Sequence, residues 1–397
     1  MQNSKNYDRI AAVIFMATWG IVFLDRLTAS QASDVIIRAL DLTTVQFSAL
    51  TSLSNLSFAV SSVVIGFLSD RTGKRKAFLF PFVLICGLIA LGCVFVRDYR
   101  ALLVLRIASG FFEGPVLSLM MAILADISTK GRFGSNAGIT AAGVSIFANT
   151  MGPPLVTRLA TGFSWNIPYA VTGVLQIAAA LVILFVIKEL KSGAEQCSPV
   201  GLRDIARGLV SSRNVVLCII IGIFSMTGYW SMQIFAPIYL TNVMKLPPVT
   251  RGTVSAAMGL IFIFSQLLVP ALSDRIGRKK ALILALIFGA LAPLSMWIAA
   301  GSSPSVCFYC IFGGLIATTS ALFGNVIPME SLPDNMRTSA AGVVMGISEI
   351  IGGMLWPLLA GRLYDRIGDI VPVMMITGII FILAVLVSFG LKETNKK

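Results

Sequence analysis

The sequence predicts an all-α polytopic membrane protein, with twelve transmembrane helices in two pseudo-symmetric six-helix bundles. Three observations carry that prediction. Of 397 residues, 56% are hydrophobic and only 12% charged, and the mean hydropathy is +0.88. Soluble domains average about 25% charged residues and could not hide this much apolar surface. Twelve apolar runs follow one another, most of them separated by short loops, and the second six repeat features of the first at the interval that separates Asp70 from Asp274, 204 residues.

The runs lie at about 10–32, 44–67, 77–96, 101–125, 134–157, 166–188, 214–241, 252–272, 281–300, 304–327, 338–361 and 370–391. Each can cross about 30 Å of hydrocarbon at about 1.5 Å per residue. No small-residue cleavage site follows a short apolar core at the start, so the first run is expected to stay as a helix. The one long connection, residues 189–213, is basic and carries Gly193, Ser198 and Pro199. It divides an N-terminal six-helix bundle, 1–188, from a C-terminal one, 214–397, and is expected to be a cytoplasmic linker.

The formal charge of +13 does not mark a nucleic-acid binder, because the charges sort by side of the membrane. Of the 31 Lys and Arg, 21 fall on the N-terminus and every second loop, 8 on the opposite loops, and two, Arg26 and Arg106, inside helices. That asymmetry places both termini in the cytoplasm. Compact loops, and the absence of an N-x-[ST] sequon outside a helix, favour a bacterial inner membrane.

Several chemistries are excluded early. Histidine is absent, which removes His metal sites and His proton relays. Five of the six cysteines fall in apolar runs, and Cys307-Phe-Tyr-Cys310 has no second pair, so they read as small buried hydrophobes. No G-x-x-x-x-G-K-[ST] phosphate loop occurs. An enzyme, a cofactor and a metal are therefore not expected. The anticipated partners are a small organic anion, protons and the lipid bilayer, with the chain acting as a monomer.

What the helices carry instead is charge. Asp25 and Arg26 sit side by side in the first run, and Arg106 and Glu113 stand seven residues apart in the fourth. Each such charge costs roughly 3 kcal/mol at mid-bilayer, so intramembrane charges point to a substrate or proton pathway. The alternative is an ion pair that only orders the bundle. Arg106 and Glu113 share a helix face, about 10 Å apart along the axis; Asp25 and Arg26 diverge by about 100°. One arrangement satisfies all four. Asp25 turns toward Arg106, Arg26 faces a central cavity, and Glu113 lies near its wall. Protonation of Asp25 and Glu113 would leave two arginines to a carboxylate substrate, whose geometry the planar guanidinium fork suits.

Other cavity candidates are Tyr229, Trp230 and Gln233 on the seventh run, Asn149 on the fifth, Gln266 on the eighth and Asn325 on the tenth. Each could equally be an interhelical polar contact. Glu349 on the eleventh run is a further buried acid with no evident partner. Gly138, Gly143 and Gly152 of the fifth read as tight helix packing.

The loop motif Gly66-Phe-Leu-Ser-Asp70-Arg71-Thr-Gly73-Lys74-Arg75-Lys76 closes the second run. Pro270-Ala-Leu-Ser-Asp274-Arg275-Ile-Gly277-Arg278-Lys279-Lys280 closes the eighth. The same interval carries Pro153 onto Pro357 and Arg158 onto Arg362. A purely topogenic loop would explain the Lys and Arg but not the repeated Asp and Gly. Gly66, Asp70, Arg71, Gly73, Asp274 and Arg275 therefore read as gating residues.

That loop resembles the signature loop of the major facilitator superfamily, and the resemblance covers essentially the whole chain. Leu24-Asp25-Arg26, with Arg106 and Phe112-Glu113 followed by Pro115, resembles the anion:cation symporter family of sugar-acid and organic-anion proton symporters. The resemblance implies proton coupling at Asp25 and Glu113, a substrate-facing Arg26 with Arg106 as partner, and gating at the repeated loop. An organophosphate/phosphate antiporter of the same fold would place a second arginine in the seventh run, which holds none. An organic-anion exchanger would use the same Arg26 without net proton movement.

Overall fold

The computed structural model describes residues 7–72, 75–128, 132–188, 208–316, 318–332 and 337–394. Twelve long helical rods run through them, with no strand among the described residues. They are α1 (Tyr7–Gln31), α2 (Thr44–Thr72), α3 (Arg75–Phe95), α4 (Tyr99–Ile127), α5 (Ser135–Gly162) and α6 (Ile167–Val186) in the first half. The second half holds α7 (Arg213–Asn242), α8 (Pro248–Ile276), α9 (Arg278–Ile298), α10 (Ser303–Glu330), α11 (Ala340–Ile367) and α12 (Val371–Ser388). Among the described residues, eleven are long and apolar enough to cross a bilayer. The exception, α2, has the length, at 29 residues. Residues 63, 66 and 67 of α2 lie outside those whose side chains are described; among the described ones Ser48, Thr51, Ser52, Ser54 and Asn55 are buried.

The chain forms two compact units, Met1–Ala194 and Glu195–Lys397. Most of the expected linker, 189–207, lies outside the described residues. In the first unit, Phe15, Trp19 and Val22 of α1 bury against Leu79 and Val83 of α3, Met120 and Ile123 of α4, and Ile183 of α6. Close backbone approach sets the crossings that matter for the site. A Cβ on Gly110 of α4 would stand 2.3 Å from the carbonyl oxygen of Ser54 in α2. One on Gly143 of α5 would stand 2.0 Å from that of Met16 in α1. Any larger residue would push these helices apart. Gly143 and Gly152 thus serve packing, whereas Gly138 has nothing within 4 Å of such a Cβ.

In the second unit α9 packs on α10 and α12, and α7 on α11 and α12. Trp230, Phe235, Phe323 and Phe381 form the buried aromatic core. Arg251, placed in a loop on the sequence alone, instead lies in the first turn of α8. It is 1% exposed and donates to the Thr241 hydroxyl at 2.9 Å. Pro247-Pro248 starts that helix several residues early, because proline is preorganised for a first turn.

Three rods carry a π-helical stretch among the described residues. Val144–Met151 in α5, Ala321–Val326 in α10 and Ile351–Leu355 in α11 are π-helical. In each case a proline, Pro153, Pro328 or Pro357, stands two residues beyond the stretch. Proline has no N–H and its ring collides with the carbonyl four residues back. A wider turn relieves that collision without breaking the rod. The wide turns of α5 and α11 precede prolines related by the 204-residue interval, so the repeat is present in the backbone as well as in the loop motif.

Candidate functional site

The charged residues of the first unit come together through three helices. Along α4, Arg106, Ser109 and Glu113 share one face, and the α-helical turn ends at Gly114-Pro115. All three side chains are buried. Arg106 Nη1 lies 2.8 Å from Asp25 Oδ2, with the two side chains only 3% and 1% exposed. Thr172 of α6 donates its hydroxyl to the other Asp25 oxygen at 2.7 Å. The Ser109 hydroxyl stands 3.5 Å from Asp25 Oδ2 and also forms a short hydrogen bond to Glu113 Oε1. The Ser109 hydroxyl therefore stands between the two acids, and its single proton is given to Glu113 in the short bond. Glu113 Oε2 is buried and accepts no hydrogen bond among the described residues. Tyr169 lies under the Arg106 guanidinium, with its ring centroid 5.8 Å away.

Arg26 turns to α2 instead. Its Nη2 donates to Asn55 Oδ1 at 2.8 Å, and its guanidinium stacks 4.1 Å above the Phe58 ring and 5.5 Å from Phe23. It is 4% exposed. A guanidinium is weakly hydrated and stacks well on aromatic faces, so Arg tolerates this setting better than Lys would. The two neighbours in sequence thus have separate partners. Asp25 belongs to the α4–α6 network, and Arg26 to α2.

The other candidates distribute unevenly. Asn149 lies in the π-helical stretch of α5 and is buried, its amide 3.4 Å from the Val144 carbonyl of its own helix. Tyr229 and Gln233, both half-buried, bond to one another at 3.1 Å. Gln266 is half-buried on α8, and Asn325 is exposed in the wide turn of α10. Trp230 is fully buried, and its indole N–H donates to Glu349 Oε2 at 2.6 Å. Within the second unit that gives Glu349 a partner that its sequence context did not announce.

Of the gating residues, Gly66, Asp70, Arg71 and Gly73 lie outside the residues whose side chains are described. Asp274 and Arg275 are exposed at the end of α8. Asp274 pairs with Arg278, which also reaches Glu330 at the end of α10 at 3.0 Å. Glu393 caps the start of α9, accepting from the Arg278 and Lys279 amides at 2.8 and 3.2 Å. A carboxylate is favourable at a helix N-terminus. The first unit has its own version of this tie. Arg75, at the start of α3, pairs with Asp126 at the end of α4. Asp126 and Glu330 stand one repeat interval apart.

Sequence reasoning missed Asn55, Thr172, Ser109 and Tyr169. Ser109 was legible, since it lies three residues after Arg106 and four before Glu113. For the other three, the signal is only a polar residue in an apolar run.

The profile of the Major Facilitator Superfamily matches residues 10–357. The chain is 22% identical over 337 residues to a citrate-proton symporter of Klebsiella pneumoniae, covering 78% of this chain and 74% of that one. It is 24% identical over 320 residues to an alpha-ketoglutarate permease of Escherichia coli (strain K12), covering 72% and 70%. With a hexuronate transporter of Bacillus subtilis (strain 168) the match is 26% over 186 residues, 46% of this chain and 43% of that one. Among solved structures, a bacterial homologue of the human lysosomal transporter Spinster superposes with a TM-score of 0.84 at 15% identity, covering 98% and 97% of the two chains.

Proposed function

The chain belongs to the Major Facilitator Superfamily, and on that premise we propose that this transporter imports a small organic anion, a sugar acid or another carboxylate, by proton symport through alternating access. The observation that carries the proposal is the buried Asp25–Arg106 pair, with the Ser109 hydroxyl standing between Asp25 and Glu113. An ordering strut needs one ion pair. A second acid, one hydroxyl away from the first and left with an oxygen that accepts nothing, supplies a place for a proton.

The proposed cycle follows from charge balance. With both acids ionised, Asp25, Glu113, Arg26 and Arg106 sum to zero. Protons arriving from outside neutralise the acids and leave Arg26 and Arg106 with uncompensated charge. A substrate carboxylate at Arg26 offsets one of these two charges. A second carboxylate of a dianion offsets the other, whereas a monoanion balances the site when only one of the two acids is protonated. The loaded site can then turn inward. Release of the anion frees the arginines to recapture the carboxylates, which return their protons to the cytoplasm. Asn55 and Phe58 would keep the Arg26 guanidinium in one orientation, a preorganisation that favours a planar, bidentate partner. The repeated ties, Arg75–Asp126 and Arg278–Glu330 with Asp274, would hold the cytoplasmic helix ends together in one phase of the cycle. Placement in a bacterial inner membrane with both termini in the cytoplasm belongs to the same reading.

Relatives named for citrate-proton symport, alpha-ketoglutarate and hexuronate transport support an organic-anion substrate. The test is transport by purified protein in proteoliposomes under an imposed pH gradient, across sugar acids, di- and tricarboxylates and phosphate esters. Carboxylate accumulation that follows the gradient supports the proposal. Counterflow without gradient-driven accumulation would favour an exchanger, and a preference for phosphate esters would favour an organophosphate antiporter.

A further inference from the structure

We infer that Glu349 is a further proton-binding carboxylate of the transport cycle, held in position by the buried indole of Trp230. This rests on the proton-coupled reading above and extends it to the second unit. The geometry comes from α7 and α11. Trp230 is fully buried, and its only polar atom, a donor without acceptor capacity, meets Glu349 Oε2 at 2.6 Å. Glu349 itself is half-buried. The pair is seated on Gly353, where a Cβ would stand 2.8 Å from the indole nitrogen and 3.0 Å from the same carboxylate oxygen. The π-helical stretch of α11 begins at Ile351, two residues past Glu349. The acid therefore stands at the edge of a wide turn, a backbone feature that recurs at functional sites.

The 204-residue interval carries Arg26 onto Trp230 and Asp25 onto Tyr229. At the position where the first unit places a cation, the second places a neutral donor and gives it an acid. A strut between α7 and α11 would need only an acceptor for the indole N–H. A glutamine would serve, without the cost of an ionisable group in the membrane. The carboxyl is thus the informative choice. Trp230, proposed from its sequence position to touch substrate, is committed to this bond and is a positioning residue. Within the unit the elements packed on α11 are α7, α10 and α12. From α7, Trp230 faces the carboxylate, with Tyr229 beside it in sequence. The titratable groups of α10 are Cys307, Tyr309, Cys310 and, at its cytoplasmic end, Glu330; α12 has none.

Glu349→Gln separates the two roles, because the amide oxygen can still accept from Trp230 while the titration is lost. In proteoliposomes with the membrane potential clamped at zero, one coupled proton is worth about a tenfold accumulation per unit of pH gradient. The expected result is that Glu349→Gln accumulates about tenfold less than wild type per pH unit while counterflow stays measurable. Wild-type accumulation with an unaltered pH profile in Glu349→Gln overturns this inference and leaves Asp25 and Glu113 as the coupling acids. Absence of proton-driven accumulation in the wild type overturns both readings. Loss of counterflow by a monodisperse Glu349→Gln protein marks a substrate contact and also overturns it. Should Glu349→Gln fail to fold, Trp230→Phe removes only the donor. A displaced pH midpoint for uptake supports the inference, and an unmoved midpoint refutes it.

Discussion

The two units share a helical plan and differ in what they bury. Both pair a basic residue at the start of a third helix with an acid at the end of a fourth, Arg75 with Asp126 and Arg278 with Glu330. Both widen a helix two residues before a proline, at Pro153 and Pro357. Inside, however, the first unit holds Asp25, Arg26, Arg106 and Glu113 at 1–4% exposure, whereas the second sets a single acid, Glu349, against an indole. The duplicated parts are those that widen helices and tie helix ends together. The buried Asp–Arg pair and its second acid belong to the first copy; among the described residues the second copy buries one cation, Arg251, in the first turn of α8. A buried ion pair is expensive and needs a full set of partners, and the first copy supplies them from three helices, Asp25, Arg106 and Thr172.

The comparison breaks most plainly at Arg26. Arg26→Ala is expected to reduce anion uptake by two orders of magnitude or more, roughly the loss of a charge-assisted bidentate contact at about 3 kcal/mol. Uptake at the wild-type rate would remove Arg26 from the binding site and leave the first unit without a substrate cation. Next comes Arg106. Arg106→Leu strands Asp25 in the core, and breaking a buried pair this way costs about 3–5 kcal/mol. Detergent-solubilised protein should melt well below wild type. The double variant with Asp25→Leu should recover much of that loss, and equal melting of the single and double variants would refute the coupling.

How much of this was legible in the sequence follows from the kind of residue involved. Full charges in apolar runs stand out, and Asp25 next to Arg26 had to diverge on a helix. The Asp25–Arg106 pairing was therefore readable before any coordinates. Asn55 and Thr172 were not, because a neutral polar side chain in a membrane helix can satisfy itself on its own backbone, as Thr28 does on Leu24. The bond between Trp230 and Glu349 depends on the rotation of α7 against α11, which spacing along one chain does not give. Arg251 was misplaced because Pro247-Pro248 reads as loop until it is seen to start a helix. The wide turns were signalled by their prolines, but a proline in a run announces a kink or a break equally.

Smaller effects sharpen the contrast. Asp25→Asn and Glu113→Gln should each lower gradient-driven accumulation about tenfold per pH unit, while counterflow falls less; equal losses in both assays would assign them to binding instead. Smallest of all, Asp274→Ala removes an exposed partner of Arg278. It should slow turnover a few-fold with little change in apparent affinity. A large loss of affinity would place that loop at the substrate site.

The central claim is that protons move with the anion because the acids of the first unit release their arginines to it. Its most direct test is the pH inside proteoliposomes when substrate is added outside, with no initial gradient. Wild-type protein is predicted to acidify the lumen in proportion to anion uptake, and Asp25→Asn to exchange substrate with much less acidification. Uptake by the wild type with no change in lumenal pH would contradict the account.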